Sequence, residues 1–114
     1  MKRFEDLIVW QKSRRLAKTV YQTFNSSKDF AFRDQIQRAA VSVMNNIAEG
    51  HEYKTNAQIK HFFHISKASV GEVRSMIYLA SDLGYVDNLT RDEILHSCEE
   101  IAYILAAIIR KTGQ

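Results

Sequence analysis

Glu93-Ile94-Leu95-His96 sets a carboxylate and an imidazole three positions apart, the pair with which helical bundles hold one side of a di-iron or di-manganese centre. Such a centre needs a second Glu-x-x-His on another helix and two further glutamates. The chain does not supply them: three residues before His51 stands Ala48, before His61 Gln58, and before His64 His61. The lone pair also opens its helix, near a bundle end and away from the middle where such ligands converge. His61 and His64 could share a metal from one helix face, but no third ligand accompanies them. Cys98 falls in an apolar stripe with no neighbouring base to activate its thiol, and no glycine-rich phosphate loop is present. A metal-dependent bundle enzyme is therefore the remote alternative, and no catalytic residue, metal or cofactor is expected.

Charge offers a second chemistry. Lys12, Arg14, Arg15 and Lys18 place four cations in seven residues without an acid among them. Residues 1–25 hold six basic and two acidic side chains, a local net of +4 against +3 for the whole chain. Such a face attracts phosphate, and in a symmetric assembly its potential would be multiplied. These four residues are the nucleic-acid-binding candidates; the competing explanation is a solvated helix face, since no base-reading motif accompanies them. A third pattern lies in residues 35–50, QIQRAAVSVMNNIAEG, where Arg38, Ser42, Asn45, Asn46 and Glu49 recur at three-and-four spacing beside an apolar stripe. Ser and Asn are indifferent helix formers, so a run of them inside a helix points to hydrogen bonding or close packing.

These residues must be positioned by helices. The stripe Phe4, Leu7, Trp10, Ala17, Val20, Tyr21, Phe24 predicts an amphipathic helix of about five turns ending near residue 25. A second, Phe32, Ile36, Ala39, Ala40, Val43, Ile47, predicts a helix over 32–50 stopped by Gly50 in the left-handed position. Thr55 with Gln58 has capping-box spacing and opens the longest helix, whose stripe is Ile59, Phe62, Phe63, Ser66, Val70, Val73, Ile77, Ala80, Leu83. Gly71, inside it, is expected to allow close helix approach. Thr90 with Glu93 repeats the capping signal ahead of Ile94, Cys98, Ile101, Leu105, Ile108. Joints of about 3–8 residues make consecutive helices antiparallel, and an up-down-up-down four-helix bundle follows. Leu95, Ala102 and Ile109 recur every seven residues on another face of helix four. A second copy of the chain would cover them, unless the core stripe is simply wide.

The 114 residues, 46% hydrophobic and 25% charged, suit one globular domain over 1–114. No proline and four glycines leave too few turn formers for a sandwich or barrel. The longest apolar run, from Ile101 to Ile109, is nine residues, short of the roughly 20 of a membrane span, so no membrane partner is expected. One cysteine and no signal-peptide pattern suggest a reducing cytoplasm.

The block 35–50, the opening FEDLIVWQKSRRLAKTVYQ and the later FFHISKASVGEVRSMIYLASDLGYV closely resemble the bacterial four-helix-bundle protein family, the 23S ribosomal RNA intervening-sequence proteins. The resemblance runs from Phe4 to about Val86, with helix four matching only in its apolar pattern. It is most specific in Arg-Ala-Ala…Ser…Asn-Ile-Ala-Glu-Gly at 38–50. Met44 stands where the family usually has proline and Ala68 where it has glycine, which implies a straighter helix two and a slightly bulkier helix three. The resemblance implies an all-helical bundle assembling as a homo-oligomer, typically a ring of five, with no established enzymatic activity. The name comes from reading frames inside insertions in ribosomal RNA genes. A more distant likeness is to the accessory bundle of diversity-generating retroelements, a pentamer that binds nucleic acid and a reverse transcriptase. RNA or another nucleic acid is thus the leading partner, with a pure protein scaffold the alternative.

The polar stripe is expected to meet helix three, with Arg38 bonded to Glu72 or Glu49 and with Ser42, Asn46 and Ser69 filling the remaining donors and acceptors. Arg38 and Glu49 lie about 16 Å apart along one helix. Within one chain Glu72 is therefore the reachable partner, and an Arg38 to Glu49 bond would need a neighbouring subunit. A solvent-lined ligand pocket is the competing use of the same groups.

Overall fold

The computed structural model describes residues 3–114. A 3-10 turn, Phe4–Asp6, precedes α1 (Ile8–Phe24), α2 (Phe30–Glu52), α3 (Asn56–Asp82) and α4 (Asn88–Lys111). The molecule measures 44 × 21 × 21 Å, the long axis being that of the 27-residue α3 at about 1.5 Å per residue. α2 packs on α1 and α3, α4 on α3 and α1, while the diagonal pairs make no close backbone approach. That is a square of antiparallel neighbours, as the short joints require.

Helix boundaries follow side-chain chemistry that periodicity alone misses. Leu7 is extended, so the expected first helix is a separate turn followed by α1. α2 starts two residues early because Asp29 caps it, Oδ1 accepting from the Phe32 amide at 3.2 Å. It also runs past Gly50, which is helical and not the left-handed stop expected of it. A Cβ at Gly50 would meet the Phe63 ring at 2.7 Å, so the missing side chain there admits α3. Gly71 is the reverse: nothing lies within 4 Å of a Cβ built there, and the close approach expected at Gly71 occurs at Gly50 instead. The left-handed glycine between helices is Gly84 (φ 73°), Gly113 near the C-terminus being the other (φ 88°). It closes α3 with Tyr85 N–H bonding the Ala80 carbonyl at 2.8 Å and Gly84 N–H that of Ser81 at 3.1 Å, a Schellman arrangement.

Thr55 caps α3 as expected, its hydroxyl accepting from the Gln58 amide at 3.3 Å and donating to Gln58 Oε1 at 2.8 Å. α4 departs from expectation: Asp87, not Thr90, is its cap, with Oδ1 accepting from Thr90 N–H at 2.7 Å. That bond holds the Asp87 carboxyl below the usual range. The core contains Val20, Ile36, Val43, Ile47, Val70, Ile77, Cys98, Ile101 and Leu105. Two buried hydroxyls inside it are satisfied: Ser13 donates to the Val9 carbonyl and Ser66 to the Val43 carbonyl of α2, both at 2.7 Å. No helix among the described residues is long and apolar enough to cross a membrane.

Candidate functional site

α1 turns Val9, Ser13, Leu16, Ala17, Val20 and Phe24 inward, which leaves its cations on the outside. Lys12 sits at the edge facing α4, its Nζ 2.8 Å from Oε1 of Glu100. The pair holds the Glu100 carboxyl below its ordinary range, the hydrogen bond from Lys12 being the main cause. The cluster that has no acid in sequence therefore has one in space, and three cations remain. The Arg14 guanidinium lies 5.7 Å from the Trp10 ring centroid, and Trp10 meets Phe4 edge-on at 5.2 Å. Arg15 and Lys18 are exposed. With Gln11 and Arg14 they line a concavity of about 310 Å³; its polar groups are cationic or amide, which suits phosphate oxygens.

The polar stripe of α2 does meet α3. Ser42 and Ser69 hydroxyls are 2.8 Å apart, and Asn46 Nδ2 donates to the Ser42 carbonyl at 2.8 Å and to its hydroxyl at 3.0 Å. The expected charged pair is absent: Glu72 accepts from Gln35 Nε2 at 3.2 Å. Arg38 is exposed and makes no hydrogen bond or ion pair among the described residues, and neither does Glu49. Helix geometry gives the reason. At about 100° per residue, Gln35 and Arg38 fall on opposite sides of Ser42, the residue that touches α3, and the register gives Gln35 to Glu72. Gln35, Arg38, Ser42, Asn45, Ser69 and Glu72 border an open groove of about 540 Å³. Sequence reasoning missed Gln35 and the Ser66 bond to Val43; each depends on interhelical register, which spacing along one helix does not reveal.

On α4, Leu95, Ala102 and Ile109 are half-buried against the margin of their own core. Leu89 and Tyr103 are far more exposed, and Ile65, Tyr78 and Leu79 of α3 and its capping residue Leu83 are exposed as well. Glu93, His96, His61 and His64 point to solvent. Among the described residues no three His, Cys, Asp or Glu side chains gather as metal ligands would. Cys98 is fully buried, and burial pushes its thiol up to about 12.

With the geometry in hand, comparison with known families is decisive: the profile of the 23S rRNA-intervening sequence proteins matches residues 5–107. The chain belongs to that family. The match extends past Val86 through most of α4, beyond the span in which the motifs are legible by eye. A crystal structure at 1.70 Å of a protein of unknown function, from the S23 ribosomal protein family of Bacteroides thetaiotaomicron VPI-5482, superposes with a TM-score of 0.86. The alignment covers 91% of this chain and all of that one at 24% identity, a likeness that establishes the fold. No curated protein matches the chain.

Proposed function

We propose that this member of the 23S rRNA-intervening sequence family is a non-enzymatic, homo-oligomeric bundle that binds nucleic acid, RNA foremost, through the outer face of α1. The observation that carries the reading is the trio Arg14, Arg15 and Lys18, which line one concavity and, unlike Lys12, form no close ion pair among the described residues, Arg15 acting on Glu100 only at longer range. Cations held to a rigid helix without carboxylate partners are available to phosphate, and a ring of copies would repeat them. The family's name, tied to ribosomal RNA, adds support. The reading puts the protein in the reducing cytoplasm, where the buried free thiol of Cys98 suits its surroundings.

Assembly is assigned to α3 and the adjoining edge of α2. Ile65, Ser69, Glu72, Met76 and Leu79 of α3 and its capping residue Leu83 follow a four-and-three spacing, and three of the four apolar members are exposed. Arg38 and Glu49, each without a partner among the described residues, are complementary charges on the neighbouring helix. A second copy can supply each with the other. Leu95, Ala102 and Ile109, half-covered by their own bundle, play the smaller part. Five copies is the number that the family resemblance implies.

The test is RNA and DNA binding by the purified protein across a salt series, with its mass measured by light scattering. Affinity that falls steeply with salt supports the nucleic-acid reading. Binding that ignores salt, or none at low salt, leaves the protein scaffold, which the exposed α3 seam already favours. A monomer at micromolar concentration overturns the assembly.

A further inference from the structure

A second groove, of about 380 Å³, lies between α3 and α4, bordered by His64, Lys67, Val70, Gly71, Arg74 and Ala102. Three of these side chains can carry positive charge and none of the lining residues is acidic. Among the described residues none accepts a hydrogen bond from Arg74: its Nε is buried without a partner, and its guanidinium enters no ion pair. A half-buried arginine without a carboxylate is unusual, because an unsatisfied buried donor is costly. Between Lys67 and Arg74 the helix is bare, since nothing stands within 4 Å of where a Gly71 side chain would begin. Ala102 keeps the opposing helix equally low.

We infer that this groove is a phosphate site, which seats the terminal group of a phosphomonoester over Gly71. By helical rise Lys67 is about 6 Å along the axis on one side and Arg74 about 4.5 Å on the other, both within the span of their side chains. Arg offers planar paired donors and Lys a mobile point charge, the combination that suits a dianion. The groove is larger than a phosphate alone, and His64 lies about one turn beyond Lys67, roughly 10 Å along the axis from Gly71, where a ring or hydroxyl of the ester would fall. The site is separate from the α1 face, since α1 and α3 occupy a diagonal of the bundle.

Chemical-shift titration of the labelled protein at constant ionic strength tests this, with inorganic phosphate, a nucleoside 5′-monophosphate and a 5′-phosphorylated oligonucleotide as probes. Saturable shifts centred on residues 67–74 are expected for phosphate and the monophosphate. Tighter binding of the monophosphate marks a small-molecule ester as the ligand, and tighter binding of the oligonucleotide marks a nucleic-acid end. Lys67→Gln should weaken binding by about tenfold, the loss of one charge-assisted contact. Gly71→Leu should abolish it without lowering the melting temperature, because the space it fills is open. No saturable shift in the parent, shifts centred on α1, or undiminished binding by both variants would overturn the site. Loss of binding in Lys67→Gln with RNA affinity intact on α1 keeps this inference and the nucleic-acid reading distinct.

Discussion

The phenol of Tyr85 donates to Oδ2 of Asp29 at 2.8 Å, while the other oxygen of that carboxylate caps α2 through the Phe32 amide. One side chain thus starts a helix and ties it to the joint between α3 and α4. The bond to Asp29 is the largest cause holding the Tyr85 hydroxyl above its ordinary value of 10.0. A group whose folded pKa is raised contributes stability that is complete below the unfolded value and is lost as pH climbs through the folded one. The melting temperature should therefore hold up to about pH 10 and then fall. Tyr85→Phe should flatten that alkaline limb, and an unchanged limb in the variant would locate the loss in other groups.

Two helical glycines should respond with opposite sign. Gly71→Ala gains roughly 0.5–1 kcal/mol from helix propensity alone. Gly50→Ala should lose about 1–3 kcal/mol by overpacking, because its Cβ would lie 2.7 and 2.8 Å from the Phe63 ring and 3.0 Å from Phe62 Cβ. Denaturant midpoints at unchanged slope measure both. Stabilisation in both variants would mean that Phe63 moves aside freely.

Cys98 should be silent in the native protein. With no accessible surface and a thiol pushed up to about 12, it presents neither access nor thiolate at mildly alkaline pH. Labelling by a thiol reagent should proceed only as fast as the bundle opens, and rapid stoichiometric labelling of folded protein would contradict the burial.

The four cations of α1 should prove unequal. Arg14→Gln, Arg15→Gln and Lys18→Gln should each flatten the salt dependence of RNA binding by roughly one unit of slope. Lys12→Gln should do less, since Lys12 already serves Glu100. Glu100→Gln, which releases Lys12, should raise affinity. Equal losses at all four positions would contradict this division.

Periodicity along the chain was enough to place four helices and the core stripe through Ile36, Val43, Val70, Ile77, Cys98 and Leu105, because burial repeats with the helix turn. Caps were harder. Thr90 with Glu93 has the capping-box spacing, yet the carboxylate of Asp87, three positions earlier, takes the role. The candidate sites were legible as lists of residue types and not as pairings. Lys12 meets an acid 88 positions away, and Glu72 takes Gln35 in place of Arg38. Both depend on interhelical register, which no spacing within one helix encodes. The groove at Gly71 escaped for a related reason: His64, Lys67 and Arg74 look like scattered solvated residues until α4 lies beside them.

The square of helices has a kinetic corollary. Three of its sides join consecutive helices across joints of five, three and five residues, loops whose closure is entropically cheap and takes on the order of 10–100 ns. The fourth side, α1 against α4, must bring together segments separated by nearly the whole chain. Hairpin formation about α2 and α3 should accordingly build the transition state, so that Ser66→Ala slows folding while Glu100→Gln chiefly hastens unfolding. The last side to close is the one that carries the Lys12–Glu100 pair, so the basic face takes its final, three-cation form only as the native state is reached.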